Sequence, residues 1–263
     1  MKFKLHTNIP IRHLRPEDLE LLLNLKMQPE IYFAADLVDS LSADSYKELV
    51  SRFNEKGFEP SFHGPFFDLS LGAYDPKVRA LALERMLWTI NAAKDFKASQ
   101  IVLHPGYGPW VLSRKFDEWY ELAIPVIKTI VKAASDNGIK IAFENIYDNN
   151  PNDLKKIVSE FSPEHVGVCF DTGHFNLFSD VPMKTWLETL SDRIIELHVH
   201  DNDGQDDHHI AIGDGCVKYT PLINWLHKRE QPLVVTIEMV LKTHVIKSVP
   251  IVREWIGTEG KEK

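Results

Sequence analysis

Short β-rich runs alternate with longer helical patterns along the whole chain, and this alternation constrains the fold more than any single motif. The candidate strands are "FKLHT" (3–7), "IYFAAD" (31–36), "FEPSFH" (58–63), "QIVLHP" (100–105), "IKIAFE" (139–144), "VGVCFD" (166–171), "IIELHVH" (194–200) and "LVVTIE" (233–238). Between them, segments such as "PEDLELLLNLK" (16–26), "PKVRALALERMLWTINAAKDF" (76–96) and "FDEWYELAIPVIKTIVKAAS" (116–135) carry apolar residues at helical spacing. Several open with proline, Asp or Ser, as helix starts do. Strand–helix units in series imply a parallel sheet, because each helix returns the chain to the same end of the sheet. Over 263 residues without a proline-rich linker or low-complexity segment, eight such units predict one α/β domain spanning 1–263, a single (β/α)8 barrel.

Alternation inside the strands assigns their faces. In "IKIAFE" the bulky Ile139, Ile141 and Phe143 share one face and Lys140, Ala142 and Glu144 the other; in "VGVCFD" the second face carries Gly167, Cys169 and Asp171. In "IIELHVH" it carries Glu196, His198 and His200, and in "LVVTIE" Val234, Thr236 and Glu238. The bulky face should meet the surrounding helices, so the second face points into the barrel, and the same parity turns His6, His63 and His104 inward. Strands three to eight therefore end on His63, His104, Glu144, Asp171, His198 or His200, and Glu238. In this fold catalytic groups sit at the C-terminal strand ends. Buried charges of this kind would repel one another and lose hydration, a cost that a bound cation removes.

The stretch "ELHVHDNDGQDDHHIAIGDG" (196–215) adds density to the same end, with four of the twelve histidines and six carboxylates. Alone it reads equally as a solvated acidic loop, and "DTGH" (171–174) as an Asp-initiated turn. Taken with the strand ends, the set reads as a metal site. Its carboxylate and imidazole donors, without thiolate, suit Mn, Mg, Co, Zn or Fe. The net charge of −8 argues against nucleic acid or an anionic membrane as the main partner. No apolar stretch approaches the roughly 20 residues of a membrane span. Cys169 and Cys216 cannot build a disulfide framework, and the N-terminus lacks the apolar core of a signal peptide, so a cytoplasmic location is expected.

The motifs "LHPG" (103–106), "FENIYD" (143–148), "CFDTGH" (169–174), "HVHDNDGQDDHH" (198–209) followed by "IGDG", and "TIEM" (236–239) occur in this order. Together they resemble the xylose-isomerase-like TIM-barrel superfamily, which includes sugar isomerases and epimerases related to tagatose 3-epimerase and the endonuclease IV type of abasic-site nuclease. For the epimerase branch the resemblance implies one divalent metal held by Glu144, Asp171, His198 and Glu238. For the nuclease branch it implies three zinc ions that also use His63, His104, His174, Asp207 and His209. The chain departs from the "HLND" and "DTCH" forms of the nucleases. Its expected loops 36–46, 64–76, 105–113, 145–154, 172–183 and 201–217 contain no lysine or arginine for phosphate contacts. The same lack of cations weakens a phosphorylated sugar as substrate, though a metal or a helix N-terminus could hold one phosphate.

The leading expectation is a divalent-metal-dependent isomerase or epimerase of a sugar or sugar-like hydroxy-ketone, working through an enediolate. Glu144 and Glu238 would serve as acid and base, and Asp201 or Asp207 could steady a ligating histidine. Phe66, Trp110 and Tyr147 are candidates to stack on a sugar ring, although packing between loops explains them equally; inward-facing His200 is placed with the substrate contacts. Multi-zinc phosphodiester hydrolysis at abasic DNA sites is the alternative. A lyase or dehydratase using the same enolate, and a barrel that binds a metal–ligand complex without turnover, are further readings. Barrels of this kind often pair, so a homo-oligomer is an open expectation.

Overall fold

In a computed structural model, which describes residues 2–109 and 115–257, eight parallel strands close on themselves in chain order. The strands are β1 (Phe3–Pro10), β2 (Gln28–Tyr32), β3 (Ser61–His63), β4 (Gln100–Leu103), β5 (Lys140–Glu144), β6 (Val166–Asp171), β7 (Ile194–Val199) and β8 (Leu233–Ile237). Pairing of Phe3 with Leu233 joins the last strand to the first. The helices are α1 (Pro16–Asn24), α2 (Ala35–Ser40), α3 (Ala43–Glu55), α4 (Pro76–Asp95), α5 (Phe116–Ser135), α6 (Asn152–Ser159), α7 (Thr172–Phe178), α8 (Met183–Leu190), α9 (Thr220–Lys228) and α10 (Lys242–Trp255). No helix among the described residues is long and apolar enough to cross a membrane.

The outward strand face supplies the barrel–helix core. Ile31, Phe62, Ile101, Ile141, Phe143, Val168, Phe170, Leu197, Val199, Val235 and Ile237 are completely buried, together with Trp119 of α5 and Trp186 of α8. Phe170 packs on Trp186 with ring centroids 5.8 Å apart, and Phe33, Phe62 and Phe96 form an aromatic knot under α4. Each such side chain contributes about 1.5–3 kcal/mol of apolar burial. The starts of α1 and α4 follow their sequence signals: each has proline in its first turn, and Asp75 caps α4 by accepting from the Lys77 amide at 2.7 Å.

Two strands differ from the sequence expectation. The second lies at 28–32, not 31–36, because the chain leaves the sheet after Tyr32 and Ala35 already begins α2. The apolar run "IYFAA" misleads here: Phe33 is buried between Phe62, Trp88 and Phe96 outside the barrel. The third strand is shorter than 58–63, since only Ser61–His63 pair with neighbours. The shift in β2 brings Glu30 into the barrel.

The barrel interior is divided. Val102, Ala142 and Cys169 pack together as a small apolar plug beneath β4–β6. Beneath the other strands lies a polar layer of His6, Glu30, Ser61, Gln100, Glu196 and Thr236, all buried. Thr236 donates to Glu196 Oε1 at 2.6 Å, Gln100 donates to Glu196 Oε2, and His6 Nδ1 bonds the Ser61 hydroxyl at 2.9 Å. Burial, reinforced by the Lys4 and His198 charges, lowers the His6 pKa from 6.5 to about 3.

The folded protein therefore refuses a proton that the unfolded chain accepts, and stability contributed by neutral His6 is lost as pH falls from 6.5 toward 3. The limiting slope from this one group is about 1.4 kcal/mol per pH unit. Urea unfolding between these limits should show a shallower acid-side loss for His6→Gln than for the parent protein, and parallel curves would refute the assignment.

Candidate metal centre

Four donors converge above the polar layer because neighbouring parallel strands end in register. Asp171 of β6 lies beside His198 of β7, while Glu144 closes β5 and Glu238 follows β8 directly. Ligand atoms of Glu144, Asp171, His198 and Glu238 all lie within 4.8 Å of one another. His198 Nδ1 is 3.4 Å from Glu144 Oε1 and 3.0 Å from Glu238 Oε2. These three atoms are buried and make no hydrogen bond. Orphaned buried polar atoms each cost about 1–3 kcal/mol, so their convergence on one point fits a divalent cation, whose oxygen and imidazole ligands they would become.

Further donor groups adjoin this one, and in one of them the thiol of Cys169 lies within 4.8 Å of ligand atoms of Glu144 and His198. His63 Nε2 and His104 Nε2 lie 3.1 and 3.4 Å from Glu144 Oε2, so Glu144 is common to both groups. His63 is oriented by a 2.8 Å bond from Nδ1 to the Gly64 carbonyl. On the other side, His174, His200, Asp207 and His209 form a third cluster. Asp207 Oδ2 is 3.2 Å from His174 Nε2 and 3.0 Å from His209 Nε2. Asp171 reaches both sides: Oδ1 accepts the His174 amide at 2.6 Å as the cap of α7, and Oδ2 lies 3.2 Å from His200 Nε2.

The β7–α9 loop carries Asp207 and His209 and is built on Asp201. That carboxylate accepts the amides of Asn202 (3.0 Å), Gly213 (2.9 Å) and Val217 (3.0 Å), pinning both ends of the loop. Asp201 thus organises backbone, and of the two aspartates only Asp207 touches histidine. His209 adopts a φ of 47°, uncommon for a non-glycine residue, and its Nδ1 bonds the Glu238 carbonyl at 3.1 Å. Its ring stacks on His200 at 3.8 Å with planes 5° apart. Gly173 is required beneath them, since a Cβ there would collide with the His200 ring.

Electrostatics in the cluster favour positive charge. Burial alone would lower the pKa of His63 and His209, but the carboxylates, Glu144 at His63 and Glu238 with Asp207 at His209, raise both to about 9. Burial is likewise outweighed at His174 and His198, which are raised well above 6.5. Reciprocally, surrounding imidazoles overcome burial to hold Glu144, Asp207 and Glu238 well below ordinary carboxylates. His104, where burial dominates, falls to about 4. The pocket thus retains protons where a metal ion would put its charge.

A cleft of about 620 Å³ opens beside the His104 side of the cluster, lined by Phe66, Phe67, Tyr107, Ile146 and Tyr147 among others. Phe66 packs on His104 (4.8 Å) and His63 (5.5 Å), and Tyr147 meets Phe178 edge-on at 5.2 Å. His200, by contrast, is fully buried behind His209 and away from this cleft's lining. Trp110 falls outside the described residues. Sequence reasoning missed Tyr32, whose ring meets His63 at 6.0 Å, Asn145, which exchanges hydrogen bonds with the Asp171 backbone at 2.8 and 3.0 Å, and Glu30. Inward parity in β2 would have found Tyr32 and Glu30 had its register been read correctly. Among the described residues near the strand ends, Arg12 pairs with Asp36, Lys242 with Asp18 and Lys115 with Glu118, and Arg15 lies 4.0 Å from Glu17.

A family model described as xylose isomerase-like TIM barrel matches residues 29–255. The MJ1311 protein of Methanocaldococcus jannaschii is 30% identical over 223 residues, covering 82% of this chain and 76% of that protein. A crystal structure described as a D-tagatose 3-epimerase-like protein superposes with a TM-score of 0.81 at 26% identity, covering 98% of both chains. The TTHB071 protein from Thermus thermophilus, in a structure described as soaked with ZnCl2, gives 0.79 at 26% identity over 99% of this chain and all of that one. The closed eight-strand barrel and the match across most of its length make this chain a member of the xylose isomerase-like TIM-barrel family.

Proposed function

We propose that the chain is a divalent-metal-dependent isomerase or epimerase acting on an uncharged sugar or sugar-like hydroxy-ketone. One observation carries the reading: Glu144 Oε1, at the end of β5, and Glu238 Oε2, just after β8, face the same His198 nitrogen, and none of the three atoms has a hydrogen-bond partner. A divalent ion bound there supplies Lewis acidity toward a carbonyl and its adjacent hydroxyl. Asp171 and His198 serve to hold it. Glu144 and Glu238 then stand as the base that removes a carbon-bound proton beside the carbonyl and the acid that returns one. Phe66 and Tyr147 offer apolar faces for a sugar ring in the adjoining cleft, and the likeness to a D-tagatose 3-epimerase-like protein supports the same substrate class. Among the described residues, the pairing of Arg12 with Asp36 and of Lys242 with Asp18 favours a substrate without phosphate.

A second reading, hydrolysis of a phosphodiester at abasic DNA sites by several metals, draws on one feature: the donor groups of His63/His104, of His198 and of His174/Asp207/His209 lie side by side around Glu144 and Asp171. Metal analysis separates the two. About one divalent ion per chain fits the isomerase, whereas about three, together with incision of an abasic oligonucleotide, would transfer the assignment to the hydrolase.

For the isomerase, a panel of free ketoses and keto-inositols incubated in deuterium oxide should contain a compound that gains solvent deuterium. Glu144→Gln and Glu238→Gln should each slow that exchange at least ~100-fold. Exchange that survives in both variants, or none with any compound in metal-loaded protein, would sink the proposal.

Metal binding should also expel protons. Burial at His198 is outweighed by the surrounding negative groups, so its affinity for a proton is raised, and a ligating ring must lose that proton. Apparent zinc affinity should therefore rise by about tenfold per pH unit for each proton displaced as pH increases from 6 toward 9. Titration calorimetry at pH 7 in buffers of different ionisation enthalpy should give different heats, and identical heats would contradict this protonation pattern.

A further inference from the structure

Glu30 was not among the expected site residues, yet it lies at the centre of the polar layer directly beneath the metal centre, fully buried. Its carboxylate straddles one nitrogen: His198 Nε2 is 3.2 Å from Oε1 and 3.3 Å from Oε2. Behind it, Ser61 donates to Oε2 at 3.4 Å, and His6 Nδ1 bonds Ser61 at 2.9 Å. A chain of buried polar groups thus runs from β1 through β3 and β2 to the ring of β7.

The ring has two nitrogens, and each faces carboxylate oxygens. Nδ1 faces Glu144 and Glu238 above, while Nε2 faces Glu30 below. A carboxylate can only accept a hydrogen bond from this nitrogen, so Glu30 keeps the proton on Nε2 and frees the Nδ1 lone pair. A histidine that donates its second N–H to a carboxylate is fixed in tautomer and rotation and becomes a more basic ligand. Glu196 is the neighbouring alternative, but its Oε1 lies 3.9 Å from Nε2 and its two oxygens already accept from Thr236 and Gln100. Glu30 Oε1, by contrast, has no hydrogen-bond partner and is left facing Nε2.

We propose that Glu30 is a positioning residue for the metal centre: it holds His198 in the tautomer and orientation that present Nδ1 to the cation. The proposal rests on the metal reading given above and adds that metal affinity depends on a carboxylate at the centre of β2, on the far side of the ring from Glu144 and Glu238.

The test uses the full-length, metal-stripped protein and Co²⁺ alone, read by calorimetry and by the visible absorption of the bound ion, with circular dichroism to confirm folding. Glu30→Gln, which keeps an accepting oxygen but loses the charge, should weaken Co²⁺ binding about 10–100-fold with little change in band shape. Glu30→Ala, which also releases the ring, should weaken it at least as much and shift the bands. Glu196→Gln should stay within about threefold of the parent protein, since its oxygens are engaged elsewhere. Should Glu30→Ala not fold, Glu30→Gln against Glu196→Gln decides the matter. Parent-like affinity in Glu30→Gln, or an equal loss in Glu196→Gln, overturns the positioning role while leaving the metal reading intact. Failure of the parent protein to bind Co²⁺ overturns both.

Discussion

One imidazole, held by carboxylates at both of its ring edges, determines how the rest of this barrel is arranged. His198 is completely buried, with Glu30 below and Glu144 and Glu238 above. Ionised groups so far from water are tolerated only when their charges are mutually compensated. The polar half of the barrel interior provides that compensation from beneath, and the donors at the strand ends provide it from above. The apolar plug of Val102, Ala142 and Cys169 occupies the remaining interior, so the charged column has a rigid wall on one side.

Much of the fold is legible in the sequence because period-two alternation and helical spacing are local. The helix over 116–135 begins and ends at the expected residues, and six strands fall within a few residues of their expected bounds. Reading failed at the second strand. "IYFAAD" offers the stronger apolar run, whereas the strand that forms, "QPEIY", carries a charged residue at its centre. Glu30 is a poor strand residue by propensity and sits there because its charge has a partner 168 positions away in the chain. No local pattern encodes such a distant partner.

The site shows the same limit. Parity identified inward-facing residues on the strands, and the structure brings ligand atoms of Glu144, Asp171, His198 and Glu238 within 4.8 Å of one another. Parity does not say what lies behind an inward residue. His200 shares the face of His198, yet Gly173 and His209 enclose its ring, so the same alternation leads to a different environment. Asp201 illustrates the converse: a carboxylate in a histidine-rich stretch whose oxygens are consumed by backbone amides. Loop geometry of that kind depends on which amides a turn exposes, and a residue string does not specify it.

That use of Asp201 has a consequence for how such a barrel diversifies. Because the loop's two ends are fastened through backbone amides at Asn202, Gly213 and Val217, the tip bearing Asp207 and His209 is attached to the scaffold independently of its own side chains. Substitutions at the tip can add or delete donors without unfastening the loop or disturbing the four residues on the strand ends. The donors that this one loop adds to the strand ends are in this sense modular, and they can change while the folded framework stays constant.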